Sequence, residues 1–121
     1  MKRYFPLVFA AAVLFIVAGS ASAQKVGGFK TADVEAADVQ EAASFAIEAQ
    51  AEKSGKEIVL DEVLKAETQV VAGRNYRICM RVNSEAGEGQ DDVSIVVQAV
   101  VYVDLKGNKK LSSWAISECG E

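Results

Sequence analysis

The amino-acid sequence predicts an α+β domain, in which one long helix packs on a curved antiparallel sheet of four to five strands. Two observations predict it. Residues 34–53 carry apolar side chains at helical spacing, and the chain that follows alternates apolar and polar residues with the period of two expected for half-buried strands. Turn-forming residues separate the alternating runs, so successive strands would be joined as hairpins on one side of the helix.

The N-terminus has the pattern of a secretory signal. Lys2 and Arg3 precede an apolar run, residues 4–18, and the small residues that follow end in an A-x-A sequence at Ala23. We expect cleavage after Ala23, so that residues 1–23 are a signal peptide and residues 24–121 form one secreted or periplasmic domain. A membrane anchor is the alternative, but the apolar run is shorter than the roughly 20 residues that cross a bilayer.

The mature chain would be acidic. Without residues 1–23 it holds 11 basic and 17 acidic residues, a formal charge of −6. Binding to phosphates draws on clustered basic residues, whereas Lys106, Lys109 and Lys110 surround a turn and are interpreted as a solvated loop. We therefore expect no nucleic-acid partner, and no membrane partner after cleavage.

Cys79 and Cys119 are the only two cysteines. An even count in an exported domain favours a disulfide, with two buried free thiols as the alternative. The bridge would close a loop of about 40 residues and contribute on the order of 4 kcal/mol in the chain-entropy account. The chain has no His, so we expect no metal site and no cofactor.

The same residue counts argue against an enzyme. With no His and both Cys paired, neither a Ser-His nor a Cys-His nucleophile can be assembled. Carboxylate pairs such as Asp91 and Asp92 lie in an acidic connection and are interpreted as solvated charges. We therefore predict a binding protein without catalytic activity.

The mature chain opens with an arm, residues 24–30, and the helix. The arm contains Gly27 and Gly28, which permit backbone conformations that other residues resist. Thr31 and Asp33 are candidate caps for the helix, and Gly55 is the candidate for its end. The predicted apolar face of the helix is mostly alanine, with one large side chain: Val39, Ala42, Phe45, Ala46 and Ala49.

Four strands are predicted after the helix, at residues 57–69, 74–83, 93–104 and 111–119. The first would bury one parity of side chains, Ile58, Leu60, Leu64, Ala66 and Thr68, and the second would bury Tyr76, Ile78, Met80 and Val82. The third strand has its most continuous apolar face at Val93, Ile95, Val97, Ala99, Val101 and Val103. Residues 84–92 read as an exposed connection and residues 105–108 as a tight turn.

The first hairpin would turn at Gln69, Val70, Val71, Ala72 and Gly73. Turns usually contain Asn, Asp, Ser or Pro, so apolar side chains at such a tip suggest a surface that meets a partner. The alternative is that the valines fold back into the core.

Four segments, in chain order and spanning the mature chain, resemble the cystatin family of papain-like cysteine protease inhibitors. They are the glycine arm at residues 26–28, the helix segment 45–48, the first hairpin with its approach from residue 63, and the strand 100–103. The Gln-x-Val-x-Gly tip is the most specific of them. The resemblance implies a cystatin-like fold and a reversible, tight-binding inhibitor.

The resemblance also implies how such an inhibitor would bind. In the family the arm and two hairpin tips align at one edge of the sheet and enter the substrate cleft as an apolar wedge. Val26 would fill a substrate subsite, and Gly27 would let the arm bend away from the nucleophile. The predicted protease-binding residues are Val26, Gly27, Gly28, Gln69, Val70, Val71, Ala72, Gly73, Asp104 and Leu105.

The chain departs from the family pattern at the second hairpin. Asp104-Leu105 stands where the family usually has Pro-Trp, and losing an aromatic anchor would weaken binding by about 1–2 kcal/mol, or roughly ten- to thirtyfold. A non-inhibitory cystatin-like binding module is therefore the alternative function. We expect a monomer, with a domain-swapped dimer as the alternative.

Overall fold

The computed structural model describes residues 27–85, 89 and 91–119. Its elements, in chain order, are β1 (Lys30–Ala32), α1 (Ala37–Ser54), β2 (Ile58–Val71), β3 (Gly73–Ser84), β4 (Val93–Val103) and β5 (Lys109–Ile116). The five strands form one antiparallel sheet in the order β1-β2-β3-β4-β5, and α1 packs on one face of it. The predicted α+β architecture is confirmed, and β1, which begins at the last residue of the arm, is the fifth strand of the sheet. The predicted signal, residues 1–23, lies outside the described residues.

The core lies between α1 and the face of the sheet that we call the inner face. The predicted alternation in β3 and β4 is confirmed at its centre, where the side chains are fully or almost fully buried: Tyr76, Ile78, Met80, Val82, Val97, Ala99 and Val101. The helix buries a stripe at positions i, i+3, i+4, i+7 and i+8: Val39, Ala42, Ala43, Ala46 and Ile47. Small residues along this stripe let the sheet approach the helix closely.

Phe45 was predicted to be the single large anchor of the helix, and this is wrong. The side chain is only partly buried at the margin of the core, whereas Ile47 is buried. The stripe is therefore rotated toward Ala43 and Ile47, since these two residues follow Val39 by one and two turns of the helix.

The predicted parity of β2 is wrong in the middle of the strand, at Leu64, and is regained at Ala66, which is buried as predicted. Register shifts between Leu60 and Glu62 and between Val63 and Lys65 interrupt the pairing with β3. Each irregularity reverses which face of the sheet the following side chains point to. As a result Val63 is buried and Leu64 is exposed, the reverse of what a regular strand would give.

The helix begins three residues later than predicted, and neither Thr31 nor Asp33 caps it. The N-cap is Ala36, which makes no side-chain capping hydrogen bond. Asp33 instead closes a turn before the helix: its Oδ1 accepts from the backbone N–H of Glu35 at 2.8 Å, and its carbonyl accepts from the N–H of Ala36. The predicted end at Gly55 is confirmed, with a left-handed backbone that donates to the Ala51 carbonyl.

The predicted disulfide between Cys79 and Cys119 is present, with 5.8 Å between the two Cα atoms. Cys79 lies on the outer face of the sheet, opposite to the helix, because its neighbours Ile78 and Met80 point to the core. The bridge therefore fastens the segment after β5 to the middle of β3. Within the described part of the chain, no helix has the length and apolar character to cross a membrane.

Candidate functional site

Three segments meet at one end of the sheet, and we call this surface the rim: residues 27–28 of the arm, 69–73 of the first hairpin and 104–105 of the second. Strand pairing brings them together. Lys30 pairs with Thr68, so the residues before β1 extend toward the tip of the first hairpin. Arg74 pairs with Val103, so the chain leaves β4 directly beside that tip. All the predicted site residues that the structure describes therefore lie together. Val26 is outside the described residues.

The first hairpin is tighter than predicted, because β2 continues to Val71 and β3 starts at Gly73, leaving Ala72 between them. The valines do not fold back into the core. Val70 is 61% exposed and Val71 half-buried. The tip thus presents apolar side chains to solvent on a short backbone turn.

Gly73 is required by the packing of its own backbone. Its φ is 108°, in the region that side chains rarely adopt. A Cβ built at this position would clash with the carbonyl oxygen of Val103 and lie 3.0 Å from the Cα of Asp104. The glycine therefore lets the first hairpin lie directly against the start of the second.

A row of polar side chains on the outer face supports the rim. Gln69 pairs with Asn75, and Asn75 pairs with Tyr102 on the next strand. The Gln69 Nε2 donates to the Gly27 carbonyl at 2.9 Å, and its Oε1 accepts from Asn75 Nδ2 at 2.9 Å. The Tyr102 hydroxyl donates to the carbonyl of Ala72. These hydrogen bonds connect the first hairpin to the arm on one side and to β4 on the other.

A second contact to the arm lies two pairs of residues further from the tip, on the same face of the sheet. The guanidinium of Arg77 lies over the ring of Phe29, 4.0 Å from its centroid. Arg77 pairs across the strands with Glu67, and its Nε lies 2.7 Å from Glu67 Oε1. The hydrogen bond from Arg77 lowers the pKa of Glu67.

The second hairpin is closed by the side chain of Asp104. Its Oδ1 accepts from the backbone N–H groups of Lys106 at 2.9 Å and Asn108 at 2.8 Å. These hydrogen bonds, first that of the Asn108 backbone, lower the pKa of Asp104. The turn leaves Leu105 82% exposed at its tip, beside Ala72 and Tyr102 in a shallow surface depression.

Sequence reasoning did not identify Phe29, Arg77 or Tyr102 as residues that shape this surface. The signal for the first hairpin was present, because Gln69 and Asn75 stand symmetrically about Ala72 and so must face each other in a hairpin. Tyr102 has no such signal, since its position opposite Asn75 depends on the register across the long connection before β4.

Comparisons with known proteins agree with this fold. Residues 31–116 match the family model SQAPI, described as aspartic acid proteinase inhibitor. L-cystatin of Tachypleus tridentatus is 45% identical over 69 residues, 55% of this chain and 52% of that protein. Cysteine proteinase inhibitor 5 of Arabidopsis thaliana is 29% identical over 96 residues, 78% of this chain and 79% of that protein.

A solved structure has the same fold. Salivary cystatin from the soft tick Ornithodoros moubata superposes with a TM-score of 0.62 at 28% identity, over 76% of this chain and 98% of that one. The chain spans about half the length of L-cystatin, the first of these relatives. One helix packed on an open, five-stranded antiparallel sheet is the architecture that these structures share. The family model that the chain matches is described as an inhibitor of aspartic proteinases, whereas the relatives are named as cystatins or as a cysteine proteinase inhibitor. Taken together, the family model, the relatives and the solved structure show that the chain belongs to the cystatin family.

Proposed function

We propose that this protein is a reversible, tight-binding inhibitor of papain-like cysteine proteases, and that the rim enters the substrate cleft. The observation that carries the proposal is the pair of exposed apolar side chains, Val70 and Leu105, held on neighbouring hairpin tips in a cystatin. The names of the relatives support the inhibitor class. Val26, outside the described residues, would add an apolar contact from the arm.

Binding at the rim would block the cleft without offering a bond for cleavage. The cleft walls would pack against the apolar side chains of Val70, Val71, Ala72 and Leu105. The backbone of Gly27 and Gly28 would lie along the cleft, because these residues have no side chain to obstruct it. Gly73 and Asp104 would shape the two turns. An interface of about 800 Å² per partner with a few buried apolar anchors is sufficient for tight binding.

The description of the matching family model favours a second candidate function, inhibition of an aspartic proteinase. The match starts at residue 31 and so includes both hairpins but not the arm. The likeness that favours this candidate therefore covers the two hairpins and does not extend to residues 24–28.

The test is a titration of the mature chain, residues 24–121, against papain and against pepsin with fluorogenic substrates. We expect reversible inhibition of papain, with the inhibitor recovered uncleaved, and no inhibition of pepsin. The opposite result would select the aspartic proteinase candidate. If the chain inhibits neither enzyme at micromolar concentration, we would conclude that it is a non-inhibitory binding module.

Two substitutions on β2 then locate the binding surface. Val70→Asp places a charge on the rim, and we expect the inhibition constant for papain to rise more than tenfold, because an unpaired charge would be buried in the cleft. Val59→Asp is the matched control, since Val59 is also 50% exposed but lies near the far end of the same strand. Equal effects of the two substitutions would contradict binding at the rim.

The proposal includes export of a monomer. Residues 1–23 would be removed as a signal peptide, so that the protein begins at Gln24. Mass spectrometry of protein expressed with its full N-terminus tests this directly. Size-exclusion chromatography with light scattering distinguishes a monomer from the domain-swapped dimer.

A further inference from the structure

We infer that Gln69, Arg77 and Glu67 form a brace that fixes the arm beside the first hairpin, and that Gln69 contributes to protease binding through the arm. This inference rests on the proposed function and assigns Gln69 a positioning role instead of the predicted contact with the protease. The brace lies on the outer face of the sheet, directly behind the rim.

The first contact uses both ends of the Gln69 amide. The Gly27 carbonyl can only accept a hydrogen bond, so Gln69 must present its Nε2 to the arm. Asn75 selects this orientation, because its Nδ2 donates to the Oε1 of Gln69. Both polar ends of the side chain are therefore used within the protein, and neither is directed to a partner.

The second contact holds the arm at Phe29. Thr31 pairs with Glu67, and Phe29, two residues earlier, lies on the same face of the sheet. The ion pair with Glu67 fixes the guanidinium of Arg77 over the Phe29 ring. The side chain of Glu67 is only 18% exposed and that of Arg77 33%, so water screens this pair less than it screens a fully exposed pair.

The two contacts hold the arm on both sides of Gly28. The glycines have no side chains of their own to anchor, and Cβ atoms built on Gly27 and Gly28 would meet no other group within 4 Å. Without the brace these residues would sample many backbone conformations. With it, the arm already lies along the first hairpin before binding, and less conformational entropy is lost in the complex.

The experiment compares Gln69→Met and Arg77→Met with the parent in two backgrounds, the mature chain and the mature chain lacking residues 24–29. Arg81→Met is the matched control, because Arg81 is on the same strand and makes an ion pair with Glu62, 2.9 Å away. In the mature chain we expect Gln69→Met and Arg77→Met to raise the inhibition constant about three- to tenfold. In the truncated chain, where no arm remains to be positioned, they should change it less than twofold. Arg81→Met should leave it unchanged in both.

The order of the arm is measured separately in the free protein, by ¹⁵N relaxation of the Gly28 and Phe29 amides. We expect these amides to be ordered in the parent and in Arg81→Met, and to gain nanosecond motion in Gln69→Met and Arg77→Met. Unchanged order in both brace variants would overturn the inference. So would an equal rise of the inhibition constant in both backgrounds. That result would mean that Gln69 and Arg77 act by direct contact with the protease or by stabilising the whole fold, and not by positioning the arm.

The relaxation measurement also separates this inference from the proposed function. If the parent inhibits neither papain nor pepsin, the proposed function fails, and the order of the arm alone decides whether the brace exists. If the parent inhibits and the arm is equally mobile in parent and variants, the proposed function stands and the brace is rejected.

Discussion

The two hairpins of the rim are held in different ways. The first depends on its neighbours: Gly73 lies against the carbonyl of Val103, and the Ala72 carbonyl accepts from the hydroxyl of Tyr102. The second depends on itself, because the carboxylate of Asp104 accepts three hydrogen bonds from Lys106 and Asn108. Its apolar tip, Leu105, extends into solvent.

This difference predicts how each hairpin responds to substitution. The shape of the first hairpin is set by tertiary packing, so a change there alters the stability of the domain and the binding surface together. The second hairpin can change the chemistry of its tip while the fold stays intact, because its turn is closed by local hydrogen bonds. We therefore expect large and coupled effects at the first hairpin and smaller, separable effects at the second.

The largest effect is expected for Gly73→Ala. The positive φ and the clash with the Val103 carbonyl should lower the free energy of unfolding by about 2–3 kcal/mol, and the displaced tip should raise the inhibition constant for papain more than tenfold. Denaturant unfolding and papain titration measure the two effects.

Gly107→Ala is the matched control for this substitution. Gly107 also has a positive φ, 91°, but a Cβ there would meet nothing within 4 Å. We expect a loss of about 1 kcal/mol from the backbone conformation alone. An equal loss for the two variants would mean that packing between the hairpins does not hold the first one.

The next effect is a gain of affinity from Leu105→Trp. Because Leu105 is exposed, a larger side chain can extend from the same turn without displacing the core. An aromatic anchor at the tip should lower the inhibition constant for papain about tenfold, with no change in the free energy of unfolding. If the inhibition constant stays the same while the variant is folded, the second hairpin does not enter the cleft.

A smaller effect is expected for Tyr102→Phe, which removes the hydroxyl that binds the Ala72 carbonyl. Losing this hydrogen bond should cost about 1 kcal/mol and raise the inhibition constant up to fivefold. Tyr76→Phe is the control, because the Tyr76 hydroxyl donates to Asp38 at the start of α1, 2.8 Å away. It should reduce stability without changing inhibition. Weaker inhibition by both variants would trace the effect to stability instead of to the rim.

The sequence predicted those parts of the fold in which the apolar pattern has a single interpretation. In β3 and β4 the alternating residues are uninterrupted, and their burial follows the prediction except at Val93, which begins β4 and is 47% exposed. In β2 the pattern is ambiguous, because Val63 and Leu64 are both apolar, and only the irregular pairing with β3 decides which is buried. The helix start was missed for a similar reason: the Asp33 side chain, a plausible cap, serves the turn before the helix.

The rim could be predicted only in part. The family resemblance placed the arm and the two hairpins together, and the structure brings their described residues to one end of the sheet. The contacts that support them were not predictable from sequence spacing alone. Phe29, Glu67 and Arg77 belong to three strands or their extensions, and their meeting depends on the registers of β1 and β3 against β2.

The smallest expected effect concerns pH and the Asp104 turn. Because its pKa is lowered in the folded protein, the Asp104 carboxylate stabilises the turn at pH values above about 4, and this contribution is lost as the pH falls through the folded pKa. We expect the amides of Lys106 and Asn108 to exchange faster with solvent, and to shift in NMR spectra, between pH 5 and pH 2.

Asp104→Asn tests whether Asp104 itself is responsible. The amide oxygen of Asn can still accept the backbone hydrogen bonds but does not titrate, so the two amides should respond much less to acid. The tip of the first hairpin, residues 70–73, contains no titratable side chain, and its amides should change least. Equal acid responses at the two hairpins would show that the turns are not stabilised independently. An unchanged response in Asp104→Asn would show that the Asp104 carboxylate is not the group that titrates.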